Sequence, residues 1–235
     1  MPSRSHSLVR EEGEDEADRT RTRLLQAAGK VFAEGGYEGA KVRDICALAD
    51  VNVAAVNYHF GDKLGLYTEV MKSAMLADSD IQVHDQLKYC KSPEEALRLY
   101  IKTLLRKAYG HDSASLHIRL MTQELARPSA ALDRVVNEVI RPRYARLREI
   151  IGAIICLSPD DDKTRLCAHS IVGQVVHYVH ATPVISRVWP ELALNPERIE
   201  QIADHIADFS LCSLHALANT KPVAKHKKRS GRSTK

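Results

Sequence analysis

Residues 42–60, VRDICALADVNVAAVNYHF, carry two short segments of helical apolar period with only Asp50, Val51 and Asn52 between them. In the first, Ile45, Cys46 and Leu48 are the apolar positions. In the second, Val56 and Phe60 are four apart and share a face, and Val51 can join them from the turn. Asn52 stands where a helix N-cap is wanted. Helices of this length do not persist alone in water. Both must therefore be held by their apolar sides against neighbouring elements, which leaves the remaining side of the second helix outward. That side carries Asn52, Val53, Ala54, Ala55, Asn57, Tyr58 and His59, with Lys63 following just after Gly61-Asp62.

The flanking sequence supplies the neighbours. Leu24, Ala27, Ala28, Val31 and Phe32 fall at helical spacing, which predicts a first helix over about 20–34, stopped at Gly35-Gly36. Lys63 opens a fourth helix with Leu64, Leu66, Tyr67, Val70 and Met71 apolar. Beyond it the chain reads as helices with clear punctuation. Ser92-Pro93-Glu94-Glu95 is a capping box that starts a helix to about residue 109. Further helices are expected over 115–125, over 129–156 with a bend at Pro142, from Ser158-Pro159-Asp160-Asp161 to about 182, and from Asn195 to about 217. Glycines and prolines are few and aromatics make up 5% of the residues, so the expected fold class is all-α. No apolar run is long enough to cross a bilayer. The N-terminal residues lack the apolar centre of a secretory signal, and five cysteines in no CxxC pattern suit reduced thiols, so a cytoplasmic location is expected.

Two short helices joined by a tight turn form the helix-turn-helix arrangement, whose second helix enters the DNA major groove. Asn57 has the donor and acceptor that adenine presents there, alanines can meet a thymine methyl, and Tyr58, His59 and Lys63 suit phosphate oxygens. Residues 20–67 resemble the DNA-binding domain of the TetR family of bacterial regulators. The resemblance lies in LLQAAGKVFAEGGYEGA, VRDICALADV and NYHFGDKLGLY. The later runs SIVGQVVHYVHATPVISR and ERIEQIADHIADFSLCSLHAL are similar to the CecR-like subgroup. The resemblance implies phosphate contacts from Tyr58, His59 and Lys63, and backbone contacts from Lys41 and Arg43 at the start of the preceding helix. Three positions depart from the family pattern. Asp50 replaces a glycine of the turn, Asn57 replaces a tyrosine, and Ala40-Lys41 replaces a threonine cap.

The expected organisation is a disordered acidic tail (1–18), a helix-turn-helix domain (19–72), a helical effector-binding and dimerisation domain (73–218) and a disordered basic tail (219–235). The tail from residue 221 carries seven basic and no acidic side chains. The helix over 164–182 is apolar around most of its circumference, which predicts burial on all sides. With the last helix it is expected to form half of a four-helix dimer interface through Ile171, Gly173, Val175, Val176, Ile202, Ile206 and Phe209. Met75, Leu104, His117, Met121, Tyr144 and Tyr178, large or amphipathic, are the candidates for lining an effector pocket. His169, His177 and His180 share one helix, but matching carboxylate or thiol ligands are few, so core or interface roles are expected rather than a metal site. No cofactor is expected. Catalytic motifs such as GxSxG, a P-loop, HExxH or GxGxxG do not occur, so the chain is not expected to be an enzyme. The expected partners are a double-stranded DNA operator, a small-molecule effector and a second copy of the chain, with no membrane. The expected function is that of a ligand-responsive repressor that binds a palindromic operator as a dimer and is released by a small-molecule effector, with a ligand-independent architectural DNA-binding protein as the alternative.

Overall fold

The computed structural model describes residues 4–75, 86–109 and 113–219, and among these no strand occurs. Residues 1–3, 76–85, 110–112 and 220–235 lie outside the described residues, and with the last of these segments almost all of the expected basic tail. The helices are α1 (Arg4–Gly39), α2 (Val42–Ala49), α3 (Val53–Phe60), α4 (Lys63–Met75), α5 (Pro93–Tyr109), α6 (Ser113–Ala126), α7 (Ala130–Val135), α8 (Arg141–Ile155), α9 (Asp162–His180), α10 (Thr182–Val188) and α11 (Pro196–Asn219). Helix α1 begins at Arg4, so residues 4–18, expected to be a disordered tail, are helical and continuous with the first core helix. Its regular course breaks at Gly36, with φ 65° and ψ −173°, a conformation that only glycine adopts without strain. The break lies where Gly35-Gly36 predicted the helix to stop.

Two apolar clusters organise the chain. The first joins Leu24, Ala28 and Phe32 of α1, Ile45, Cys46 and Ala49 of α2, Val56 of α3, and Leu66, Tyr67, Val70 and Met71 of α4. It does not close at residue 72, because Leu120 of α6 and Ala131, Val135 and Val139 complete it. The first apolar cluster therefore draws on residues from both sides of the expected limit at 72. The second cluster is built from α5, α8, α9 and α11, with Leu97, Ile101, Leu105, Leu147, Ile151, Ile171, Ala203 and Ile206 almost fully buried. A ladder of ion pairs on the surface adds Arg98–Asp208 and Lys102–Asp204 (2.8 Å) between α5 and α11. Partly exposed pairs of this kind contribute at most about 1 kcal/mol each.

The expected helix over 129–156 is two helices joined by a π-helical stretch, Val136–Ile140. The Arg141 amide donates to Val136 O, one residue wider than an α-helical bond. Pro142 follows at the first turn of α8, where its missing donor costs nothing. The irregularity thus precedes the proline instead of centring on it. The Ser92 cap forms as expected: Ser92 Oγ accepts from Glu95 N (3.2 Å) and Glu95 Oε2 accepts from Lys91 N (2.7 Å). Helix α9 starts later than expected, with Asp161 as N-cap. It ends at His180, and the separate helix α10 had no counterpart in the sequence reading.

Helix α9 is not buried all round. Thr164, Ala168, Ile171, Val175 and Val179 face the core, while Leu166, His169, Ser170, Gly173, Val176 and His177 are exposed. Ile171, Val175, Ile202 and Ile206, expected at a dimer interface, are buried within the chain itself. Their aliphatic side chains are what seat α9 and α11 on the body. Of the expected interface set, Gly173, Val176 and Phe209 remain on the surface. The three histidines of α9 part company. His169 packs on Tyr144, with ring centroids 5.0 Å apart, and His177 is exposed. His180 Nδ1 lies 3.1 Å from Thr122 Oγ1, whose own proton goes to Ile118 O (2.7 Å). The imidazole is therefore the donor in that pair, and burial holds its pKa below the usual value.

Candidate nucleic-acid interface

The turn and the second helix are built from local chemistry. Helix α2 begins at Lys41 with no side-chain cap, as the loss of threonine there predicted. It ends at Asp50, which takes the left-handed conformation (φ 53°, ψ 53°). Aspartate tolerates that region better than most residues, so a departure from glycine is accommodated. Asn52 then caps α3, its Oδ1 accepting from Ala54 N at 3.0 Å. That bond commits one lone pair of the oxygen to the cap and fixes the side chain of Asn52, included among the DNA-facing residues, against the head of α3.

One side of α3 is fixed by Val56, 1% exposed. Burying such a side chain contributes roughly 1.5–3 kcal/mol. Val51, Ala55 and Phe60 pack partly buried around it, so Val51 and Phe60 are rim positions where core had been expected. The other side is open. Asn52, Val53, Ala54, Asn57 and Tyr58 are exposed, Tyr58 by 80%, and Ala55 and His59 are half-buried. The Tyr58 and His59 rings meet edge to face at 4.8 Å. Lys41 and Arg43 are exposed at the start of α2. The expected DNA-facing set therefore falls on contiguous elements, α2, α3 and the head of α4.

Lys63 is positioned more tightly than its sequence context suggested. Its Nζ lies 3.4 Å from Glu38 O and 4.7 Å from the centre of the Tyr37 ring. This cation–π contact draws the ammonium toward the end of α1. Tyr37 is the residue that sequence reasoning missed here; its signal was an aromatic directly after the Gly35-Gly36 stop. Burial, then the nearby carboxylates of Asp62 and Glu38, push its phenol pKa up. Arg21 of α1 was also missed. It lies over the Phe60 ring at 5.5 Å and bonds Glu69 of α4 at 3.1 Å, tying the end of α3 to its two supports.

The six pocket candidates do not gather around one described cavity. Met75 and Met121 belong to the first apolar cluster, whereas Leu104, Tyr144 and Tyr178 pack against the second. Tyr144 donates to Arg165 O at 3.0 Å. His117 is half-buried on α6. Among the described residues no cluster of three His, Cys, Asp or Glu side chains could hold a metal ion.

Residues 24–70 match the family profile of bacterial regulatory proteins of the tetR family, and residues 93–217 match the C-terminal domain of the HTH-type transcriptional dual regulator CecR. The chain belongs to the TetR family. Within the family it has a CecR-type C-terminal domain, and it is a DNA-binding transcriptional regulator, not an enzyme. It is 27% identical over 178 residues to CecR of Shigella flexneri, covering 68% of this chain and 76% of that protein. It is also 35% identical over 83 residues to the transcriptional repressor NicS of Pseudomonas putida, covering 35% of this chain and 39% of that one. Among solved structures, a HlyIIR variant with residues 169–186 replaced by a linker is 26% identical. It superimposes with a TM-score of 0.58, covering 82% of this chain and 99% of that one. FadR of Bacillus subtilis, solved with stearoyl-CoA, has a TM-score of 0.63 at 18% identity, covering 81% and 97%. At that identity the likeness is one of fold. TetR-family regulators function as dimers that bind DNA and small-molecule effectors. No helix among the described residues is long and apolar enough to cross a membrane.

Proposed function

We propose that this TetR-family regulator is a cytoplasmic, homodimeric repressor that reads a palindromic operator through α3 and leaves it when a small molecule enters the helical body. The observation that carries the reading is the open side of α3. Asn52, Val53, Ala54, Asn57 and Tyr58 are exposed there, while the opposite side is anchored in the core. A second support is the remaining free face of α9 and α11, where Leu166, Val176 and Phe209 are exposed by 66%, 40% and 60%. Two copies joined there through an isologous contact present two α3 helices to two half-sites.

The means of release is supported by the way the body grips the reading head. Arg119 and Gln123 of α6 both donate to Ala33 O at the end of α1, at 3.0 and 3.1 Å. Arg143 of α8 donates to Met75 O at 2.6 Å, closing the end of α4. Lys72 of α4 pairs with Glu138 in the π-helical stretch at 2.7 Å. A ligand that binds one arrangement of α6 and α8 better than another therefore biases the setting of α1 and α4, and with them the spacing of the reading helices. The described parts of α5, α6, α8 and α9 around His117, Leu104, Tyr144 and Tyr178 are where an effector is placed by this reading.

In vitro selection from random double-stranded DNA tests the function. The expected product is an inverted repeat whose half-sites are spaced by about one helical turn or a multiple of it. Binding without sequence enrichment points instead to a ligand-independent architectural protein, and no salt-dependent DNA binding at all ends both readings.

Two substitutions separate base reading from backbone contact. Asn57→Ala is expected to lose roughly 1–3 kcal/mol on the selected operator and to become indifferent to one base pair per half-site. Lys63→Ala is expected to weaken all sequences alike and to lower the salt slope by about one unit. Binding to single-base operator variants distinguishes them: an unchanged rank order for Asn57→Ala removes it from base reading.

The dimer is tested at Gly173. A Cβ added there meets nothing within 4 Å of its own chain, so Gly173→Leu is expected to leave the protomer folded and to add about 1 kcal/mol of helix propensity. Between two copies the same leucine is an overpacking worth roughly 1–3 kcal/mol. Sedimentation is expected to show a dimer weakened by about tenfold or more, with an unchanged or slightly higher melting temperature at monomer concentrations. A dimer of parental strength moves the interface elsewhere.

A further inference from the structure

The free face of α9 and α11 does not end at the edge of those two helices. A surface recess of about 470 Å³ lies over Gly173 between them, walled by His177, Tyr178, His205 and Ile206. A second recess, of about 320 Å³, is lined by the same His177 and Tyr178 together with Val184, Val188 and Trp189 of the α10 region. The two hollows share a wall, so one surface runs from Gly173 and His205, whose ring stands 6.3 Å from that of Phe209, past His177 onto α10. On α10 itself Val184 is 58% exposed, Val188 80% and the adjoining Trp189 48%. Ile185 alone turns inward to anchor the helix. Three large apolar side chains turned outward within six residues form a patch that a water-exposed connector has no reason to carry.

We propose that α10 is an arm of the dimer interface, and that a second copy of this chain covers Val184, Val188 and Trp189. The inference rests on the dimer reading above and extends it. Two observations favour the second copy as the occupant. The patch is continuous with the α9–α11 face through the shared wall of His177 and Tyr178. Those two helices alone also offer little: Leu166, Val176, Phe209 and, at 38%, Leu217 are their large exposed apolar side chains, with polar or small residues between. Stable dimers bury about 800 Å² per partner around an apolar, aromatic-rich centre. Adding α10 supplies the tryptophan and two valines that enlarge the face toward that size. In an isologous contact the arm of each copy lies on the other, so a single set of residues is used twice. The location also places the arm directly after His180, whose ring bonds Thr122 of α6, so dimer packing and the helix that grips α1 are joined within one turn.

Trp189 is the single tryptophan of the chain, and its fluorescence reports on this surface alone. The full chain is sedimented over a range of concentrations, and emission and acrylamide quenching are recorded on the same samples. The expected result is a shift of emission to shorter wavelength and a quenching constant lower by about twofold or more as monomer becomes dimer, because the indole leaves water for the apolar centre of the contact. Val188→Asp, at a position too exposed to support the protomer fold, is expected to raise the dimer dissociation constant by about tenfold or more, with the helical circular dichroism of the protomer retained. A dimer in which Trp189 stays as quenchable as in the monomer, or which tolerates Val188→Asp, overturns the arm and leaves the α9–α11 dimer standing. A chain that stays monomeric at every concentration overturns the dimer reading and the arm together.

Discussion

Gly65→Ala is expected to cost this regulator its DNA binding, although by helix propensity alone the change is favourable. Alanine is worth about 1 kcal/mol more than glycine inside a helix. At Gly65 the added Cβ would lie 2.0 Å from Phe60 O and 3.1 Å from Phe60 C. Both are backbone atoms, so no side-chain rotation relieves the overlap. Phe60 is the last residue of α3, and moving its carbonyl moves the reading helix. The same turn contains the Asp62 cap, in which Gly65 N donates to Asp62 Oδ1 at 2.7 Å and Leu66 N to Asp62 O at 3.0 Å. Overpacking of this kind costs roughly 1–3 kcal/mol or more where the neighbour cannot yield, against a total stability of about 5–15 kcal/mol. The expected outcome is a lower melting temperature and an operator affinity reduced by at least about tenfold, with helix content nearly retained. Gly39→Ala, whose Cβ meets nothing within 4 Å, is the control and should bind as the parent does. Parental affinity in Gly65→Ala would show that α3 and α4 can part without consequence.

How much of this head could be read in advance follows from where its information lies. The bounds of α2 and α3 and the Asn52 cap are set by residues within a few positions of one another, and local sequence carried them, whereas the left-handed Asp50 stands where the family resemblance puts a glycine. The contact of Lys63 with Tyr37 and Glu38 O joins positions 25 and 26 apart. Nothing in NYHFGDK announces it, because the partner sits beyond a break in α1. Glycines were legible as helix stops, but Gly65 lies inside a helix, and only the approach of the Phe60 carbonyl explains why it has no side chain.

The body was legible as helices and less so as faces. Ile171, Val175, Ile202 and Ile206 have the apolar character an interface wants, yet the same character fits an internal core. Periodicity cannot say whether the neighbour belongs to the same chain. The positions between them that stay exposed are Gly173, Val176 and Phe209. The π-helical stretch escaped because nothing in VNEVI marks the wider hydrogen bond from Arg141 to Val136; Ala131, Val135 and Val139 of the first core keep the four-residue spacing of an ordinary helix. At the same place α6 and α7 complete the core of the N-terminal helices, a contact across the expected limit at residue 72 that no local pattern announces.

Tyr67→Ala should be the most destabilising of the substitutions considered. Its ring is fully buried, 4.6 Å from Phe32 and 5.2 Å from Tyr37. It joins α1 to α4 at the centre of the core that carries α3. Removing a buried aromatic ring costs roughly 3–5 kcal/mol, part of it from the cavity left behind. The hydroxyl is a different matter. It is buried beside the Glu124 carboxylate without a hydrogen bond of good geometry. Burial first, then that carboxylate, drive the phenol's ionisation far above its usual range. Glu124 is satisfied without it, accepting from Ser129 N at 2.9 Å and Ser129 Oγ at 2.8 Å. Tyr67→Phe is therefore expected to stay within about 1 kcal/mol of the parent. Urea unfolding of the two variants at equal protein concentration compares ring and hydroxyl directly. In Tyr67→Ala the Tyr37 ring loses its support, and Tyr37 in turn holds Lys63, so the folded fraction should also bind the operator less tightly and with a shallower salt slope. If Tyr67→Phe is as damaging as Tyr67→Ala, the bond to Glu124 and not the packing of the ring joins these helices.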